Sequence, residues 1–453
     1  MISHKRPIVG KSDHSVVGEG EFLVYEDLVT QVDYPLLKKQ IKYVRTQSPF
    51  YKNKFKELKN IQKIINEPAN FEKLPFTEKD ELLNEQNHFP PFGRLAIGNT
   101  FHKIQRIHKT SGSTGRPLYI ALTKNDVLDN VQSGRQAFIC AGLLPGDSVI
   151  HCLNYCMWAG GVTDHMSLEA TGATVIPFGV GNTKQLIETI QRLKPSSISC
   201  TPSYMSRLEV VLKEEFDLQP PDLGLKKGFF GGEGGLQDQN VRNRIENIWN
   251  IKAIDANYGM AEVLSILGSE CSYHTGLHFH GQGLVHLEII DPNTGQMLPV
   301  KKGTTGELVL TTLTREGQPL IRYRTKDIIT ILDTEPCKCG RGSLRFRVEE
   351  RKDDMIIVRG VNVYPTAIKS LLSEYTDFFS GEFKIILSSP PPIERPLLQV
   401  ELTKNSRPDE KMLRDFLIKK CHEKLNFTPT VNFIPWGKFP RTEGKSEYVC
   451  RNY

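Results

Sequence analysis

The chain lacks any apolar run of about 18 residues, so no segment of it reads as a membrane-spanning helix. Residues 1–20 hold no apolar signal core, and a cytoplasmic location is the expectation. Cysteine is too sparse for a disulfide scaffold: there are nine in 453 residues, an odd number. Cys140, Cys152, Cys156 and Cys200 lie in or beside apolar runs, which suits a reducing compartment better than a bridge network. Internal repeats and low-complexity tracts are missing too. The charge excess is small, with 58 Lys+Arg against 52 Asp+Glu, a net +6. That excess is too weak for a nucleic-acid-binding face and suits a small anionic ligand. With 39% hydrophobic residues, 36 Gly and 27 Pro, the composition excludes a collagen-like or fully disordered chain. The length fits about three domains, or a large domain with a small one.

Organisation follows from the periodicity. The first hundred residues read as helical and loop-rich. From about 117 to 265, strands and helices alternate. Thr123 and Asp126 form a capping-box start, ahead of Val127, Leu128 and Val131 at helical spacing. Short apolar runs at 148–153, 173–177, 197–200, 228–230 and 252–255 read as buried strands. Between them, Leu186, Ile187, Ile190 and Leu193 share one helix face. This alternation predicts a parallel sheet covered on both faces. After 280 the pattern turns antiparallel, with strands at 285–291 and 306–313 around the turn Pro292-Asn293-Thr294-Gly295. The last hundred residues predict a compact α+β module, and the wholly charged stretch 349–354 is the candidate boundary.

Four motifs carry chemistry. Thr110-Ser111-Gly112-Ser113-Thr114-Gly115-Arg116-Pro117 combines two glycines, which let backbone N–H groups converge on an anion, with hydroxyl and guanidinium donors. It lacks the Gly-Lys-Ser/Thr end of a Walker loop, and alone it is equally a Ser/Gly surface turn. Asn257-Tyr258-Gly259-Met260-Ala261-Glu262 follows a predicted strand, where parallel sheets bind ligands. There an aromatic can stack on a base and a carboxylate can hold Mg²⁺. The third group is Tyr323-Arg324-Thr325-Lys326-Asp327 with Arg351-Lys352-Asp353-Asp354 and the run 359–365. The fourth is Pro440-Arg441-Thr442-Glu443-Gly444-Lys445.

In this order and spacing, together with Thr201-Pro202-Ser203-Tyr204-Met205 and Gly231-Gly232-Glu233, the motifs resemble the acyl-adenylate-forming superfamily, and within it the phenylacetate–coenzyme A ligase family. The resemblance runs from about residue 35 to the C-terminus. It implies an α/β fold: a large N-terminal adenylate-forming domain, 1–352, with parallel sheets and an antiparallel β region, and a small mobile C-terminal α+β domain, 353–453. It implies an AMP-forming ligase that uses ATP, Mg²⁺ and coenzyme A. Ser111, Gly112, Ser113, Thr114 and Gly115 would hold the β- and γ-phosphates. Gly232 and Glu233 would line the adenine, Tyr258 would stack on it, and Asn257, Gly259 and Met260 would complete that motif. Glu262 would bind Mg²⁺, Asp327 the ribose hydroxyls and Arg351 phosphate. Asp353 would be the hinge. Lys445 would stabilise charge on the transferring phosphoryl group. A carrier-protein phosphopantetheine or an amine is the alternative acceptor, and a non-catalytic nucleotide-binding relative is the reading from another class. A homodimer is the one assembly entertained.

The sequence departs from the family at Lys326, where the wider superfamily often has Gly, at Glu350 before the arginine, and at Gly234-Gly235. The family places its acyl pocket near 154–163 and around Tyr204. Tyr155 and Trp158, with Phe178, would make an aromatic slot there, and Asp164 would meet a polar ring substituent or cap a helix. An aryl or arylalkyl acid is the expected substrate. Finally, Cys271 and His278 with Cys337 and Cys339 offer the donors of a closed tetrahedral zinc site. Free thiols in a turn are the plain alternative, and His274 and His280 are competing ligands. Some relatives in the resembled family join the same two clusters by zinc, which implies one structural Zn²⁺.

Overall fold

The computed structural model describes residues 23–58, 61–95, 101–110, 117–234, 236–351, 356–359, 361–389, 393–404, 409–439 and 448–452. Two compact units divide the chain: Met1–Gly179 with Asp255–Glu349, and Val180–Ile254 with Glu350–Tyr453. Among the described residues no helix is long and apolar enough to cross a membrane.

The first unit is built on a seven-stranded sheet, ordered Met297–Leu298, Val285–Ile290, Thr305–Thr312, Tyr323–Asp333, Arg345–Arg351, Leu277–Phe279, Gly268–Glu270. The antiparallel pair expected from the sequence forms, from Val285 opposite Thr312 to Ile290 opposite Glu307. Leu287, Ile289, Leu308 and Leu310 are buried in one core with Leu37, Ile41 and Tyr51 from the N-terminal helices. Each such side chain contributes about 1.5–3 kcal/mol through its burial. A parallel pair, Ser148–His151 with Thr174–Pro177, is crossed by the helix Ala159–Glu169. The helix Lys124–Cys140 starts at the expected capping box: Thr123 N–H donates to Asp126 and the Asp126 N–H to the Thr123 hydroxyl.

One irregularity positions a functional residue. Between the pairs Glu307↔Ile328 and Val309↔Arg324 the register shifts, so Leu308 alone faces Thr325, Lys326 and Asp327. Lys326 takes a left-handed φ of 63°. Bulges of this kind bend a strand and re-aim its side chains. The two extra residues preserve alternation, so Tyr323, Thr325, Asp327, Ile329 and Ile331 all stay on the buried face.

In the second unit, Ser197–Cys200 runs parallel to Lys227–Gly231. The helix Thr183–Leu193 buries Leu186, Ile187 and Ile190 completely. Leu193, expected on the same face, is instead 56% exposed, because the helix ends there and Lys194 turns left-handed. The C-terminal part forms a four-stranded sheet, ordered Thr430–Ile434, Leu397–Leu402, Phe379–Leu387, Val449–Arg451, with helices Pro365–Ser373 and Glu410–Leu425. Within this unit Ser370 Oγ donates to Asp238 at 2.5 Å, and Asp238 caps the helix Gln239–Trp249 through the N–H groups of Asn240 and Val241.

The left-handed Lys326 should favour residues in a fixed order. A Cβ at such a position costs roughly 1–2 kcal/mol, and β-branching adds to it. Lys326→Gly should therefore unfold at higher urea than Lys326→Ala, by about 1 kcal/mol, and Lys326→Val should be the weakest. The reverse order in urea melts would rule out the strained bulge.

Candidate active site

The strand Lys252–Asn257 ends in a segment, 258–267, with almost no regular structure. The segment closes on itself, because the Tyr258 and Gly268 backbones exchange hydrogen bonds of 2.9 Å in both directions. Gly259 is required at the close approach within it: a Cβ there would stand 2.2 Å from the Ser265 carbonyl oxygen. Neighbouring elements supply the rest of its partners. Asn130 accepts from Ser265 N–H at 2.9 Å, Ser133 donates to the Ile266 carbonyl at 2.6 Å, and Arg315 donates to the Val263 carbonyl.

This segment presents Tyr258 and Glu262. The Tyr258 hydroxyl donates to Asp327 at 2.7 Å, and its ring meets Phe346 edge-on at 5.4 Å. The buried Glu262 carboxylate accepts from the Tyr323 hydroxyl at 3.3 Å and stands 3.0 Å from the Lys79 ammonium. The strand Tyr323–Asp333 therefore serves both carboxylates: through Tyr323 it holds Glu262, and through the bulge it delivers Asp327. Two hydrogen-bonded pairs, Tyr258–Asp327 and Tyr323–Glu262, thus stand between the same two chain segments.

In the second unit, Glu233 accepts a bidentate pair from Ser203, from Oγ at 2.8 Å and from N–H at 3.2 Å. Gly232 before it has φ of 78°, a conformation that glycine adopts without strain. Tyr204 is fully buried, 3.3 Å from the Thr183 hydroxyl, and joins two helices.

The segment expected to form the acyl pocket belongs to the first unit. Tyr155 is half-buried, its hydroxyl 3.0 Å from His165 Nδ1, and His165 in turn reaches Glu169 at 3.2 Å. Trp158 is half-buried at the start of the helix Ala159–Glu169. Met157 between them has a left-handed φ of 63°, and its carbonyl accepts from Lys109 N–H at 2.9 Å. His108 packs on the same carbonyl and on Thr163, and burial, with the charge of Arg106, pushes its imidazole down to about 4, so it is neutral at pH 7. Asp164 is completely buried; its oxygens accept from Ser265 Oγ at 2.6 Å and from the Asn257 amide. Burial pushes this carboxyl up to about 8, against the opposing pull of those two hydrogen bonds.

Ser111, Gly112, Ser113, Thr114, Gly115, Asp353 and Lys445 lie outside the described residues, as does the side chain of Arg351. Sequence reasoning gave no role to Lys79, Asn130, Ser265, Arg315 or Tyr323. Only Tyr323 stood inside a quoted motif. A lone lysine or arginine carries no sequence mark of burial, so the others had no signal to find.

The four zinc-type donors converge. Their ligand atoms all lie within 4.8 Å of one another. Cys271 Sγ is 3.8 Å from Cys337 Sγ, and Cys339 Sγ is 3.6 Å from His278 Nε2. Tetrahedral zinc, with bonds of about 2.3 Å to sulfur and about 2.1 Å to nitrogen, requires edges of about 3.8 and 3.6 Å. His278 Nδ1 stands 3.1 Å from Ser343 Oγ, a contact that leaves Nε2 for the cluster. His280 is engaged elsewhere, 2.8 Å from Ser269, and His274 faces Glu270.

A family model described as AMP-binding enzyme matches residues 72–313, and one described as AMP-binding enzyme C-terminal domain matches 360–452. A phenylacetate-coenzyme A ligase of Thermus thermophilus is 31% identical over 430 residues, covering 90% of this chain and 93% of the relative. Another, of Escherichia coli, is 29% identical over 423 residues, covering 92% of each. Among solved structures, a 2-hydroxyisobutyryl-CoA ligase in complex with 2-HIB-AMP has a TM-score of 0.84 at 26% identity, covering 92% of this chain and 88% of that one.

The raised Asp164 carboxyl has a consequence measurable without ligand. The folded state keeps a proton that the unfolded chain releases near pH 4, so this stabilisation is complete below about pH 4 and is lost as pH rises through about 8. Asp164→Asn cannot ionise. Its melting temperature relative to wild type should therefore rise from about pH 5 to pH 9, and a constant difference would show an ordinary carboxyl.

Proposed function

The chain belongs to the AMP-binding enzyme family, and we propose that it activates a carboxylic acid with ATP and passes the acyl group to coenzyme A. In the first half-reaction a carboxylate oxygen attacks the α-phosphorus and the bond to pyrophosphate breaks, leaving an acyl-adenylate. In the second, the thiol of coenzyme A attacks the acyl carbon, giving up its proton, and AMP leaves with the electrons of the broken C–O bond. No general base is needed in the first step, because the nucleophile is already ionised.

One observation carries this reading: the hydrogen-bonded pairs Tyr258–Asp327 and Glu262–Tyr323 at the end of a strand. Tyr258 would stack on adenine and Asp327 would accept from the ribose. Glu262 is a hard oxygen donor suited to Mg²⁺, which would neutralise polyphosphate charge. The Lys79 ammonium stands 3.0 Å from that carboxylate. Glu233, held by Ser203, would line the adenine. Ser111, Gly112, Ser113, Thr114 and Gly115 would bind the β- and γ-phosphates and Arg351 a phosphate oxygen. Lys445 would act on the transferring phosphoryl group. Residues 1–352 and 353–453 would be the two domains, with Asp353 as hinge between the half-reactions. An aryl or arylalkyl acid is favoured by the Tyr155 ring, fixed by His165, and by Trp158 beside it. Nine free cysteines suit a reducing, cytoplasmic setting.

Cys271, His278, Cys337 and Cys339 would hold one structural Zn²⁺, with no ligand position left for water. Elemental analysis of protein purified without added metal should find about one equivalent of zinc. Less than about 0.2 equivalents would mean four free side chains.

ATP–pyrophosphate exchange across a panel of carboxylic acids tests the reaction itself. Exchange should appear with aryl or arylalkyl acids, and none with any acid would overturn the proposal. In the same assay Lys445→Ala should lower kcat by about 10²–10³ with ATP binding nearly unchanged, as for other donors that act on the transition state. Near-normal exchange would remove Lys445 from catalysis.

A further inference from the structure

Asp164 sits where the acyl pocket was expected, yet it is completely buried. Both its oxygens are taken, one by Ser265 Oγ at 2.6 Å and one by the Asn257 amide. What the carboxyl touches is the nucleotide segment at two points eight residues apart in sequence. Asn257 is its last strand residue, and Ser265 stands just before it returns to the sheet at Gly268. Tyr258 and Glu262 lie between those two anchors. Ser265 is also held from the other side by Asn130. The helix that carries Asp164 begins directly after Tyr155 and Trp158.

We propose that Asp164 is a positioning residue for nucleotide binding, which acts through Asn257 and Ser265 to hold Tyr258 and Glu262 in place and to couple them to the acyl-segment helix. This rests on the proposed function above and assigns Asp164 to the nucleotide side of the reaction rather than to recognition of the acid. The physical reason is local. Without the carboxyl, the buried Ser265 hydroxyl and the half-buried Asn257 amide lose that acceptor, and leaving them so costs more than moving the segment. Because the segment has almost no regular structure of its own, it is the element that yields.

The test compares Asp164→Ala, Asp164→Asn and Ser265→Ala with wild type, using exchange kinetics, the acid panel and calorimetric binding of AMP. Asp164→Ala should raise KM for ATP and Kd for AMP about tenfold, with a much smaller change in kcat and with the rank order of acids unchanged. Asp164→Asn, which keeps the shape and two hydrogen-bonding atoms, should stay within about threefold. Ser265→Ala should weaken AMP in the same direction, and combined with Asp164→Ala it should add less than the product of the two. If Asp164→Ala does not fold, the Ser265→Ala data decide. AMP binding within twofold of wild type in Asp164→Ala, or in Ser265→Ala where Asp164→Ala does not fold, would overturn the proposal, as would a changed order of acids. If wild type binds AMP but exchanges with no acid, the proposed reaction fails while the AMP data still judge Asp164.

Discussion

Residues 262–267 are buried, and their backbone polar groups have no helix or sheet of their own to satisfy them. An unpaired buried backbone group is costly, so the surroundings must supply partners from fixed places. Asn130 and Ser133 do so from the helix Lys124–Cys140 and Arg315 from beyond the strand Thr305–Thr312, while Asp164, on the helix Ala159–Glu169, holds the Ser265 side chain. This one requirement sets much of the first unit. It explains buried polar side chains on helix faces that would otherwise be apolar, and it fixes where Tyr258 and Glu262 point. Irregular backbone can approach a ligand closely, which regular elements cannot, and the cost is this shell of polar partners.

The carboxyl groups of the region have different neighbours. Glu262 faces an ammonium and a phenol. Asp327 takes a phenol hydrogen bond at the end of a bulge. Asp164 meets only neutral donors in the interior, and burial makes it weakly acidic. Three acids within one unit thus differ by what surrounds them, not by residue type.

This division explains what the sequence reveals. Motifs such as Asn257–Glu262 and Tyr323–Asp327 are visible through their order and spacing along the chain, since each alone reads as an ordinary loop or strand end. Capping chemistry is visible through spacing too, as at Thr123 and Asp126. Strands at 197–200 and 285–291 are visible as apolar runs, and the structure forms both within a residue. The polar partners of the irregular segment are invisible: Asn130, Ser133 and Arg315 look like any surface residue, since their burial depends on elements far away in sequence. Tyr204 and Asp164 show the converse. Their place in a recognised segment suggested contact with substrate, while the interior had already claimed their polar atoms. Lys326 was visible only as a departure, and the left-handed backbone there accounts for why glycine is the easier residue.

The strand Tyr323–Asp333 places Tyr323 and Asp327 on the same face as Ile329 and Ile331. The hydrogen bonds to Glu262 and Tyr258 and the packing of the core are therefore written in one alternation. Adding or deleting a single residue between Asp327 and Ile329 would turn one set outward while leaving the other inward, and between Tyr323 and Asp327 it would split the first set. Length changes in this stretch can be accepted only in pairs, and the bulge at Thr325–Asp327, which carries two residues more than its partner strand, has that form. Descent with insertions would thus leave an even-numbered signature here, whereas the turn at Asp291–Gly295, which holds neither kind of residue, is open to changes of any length.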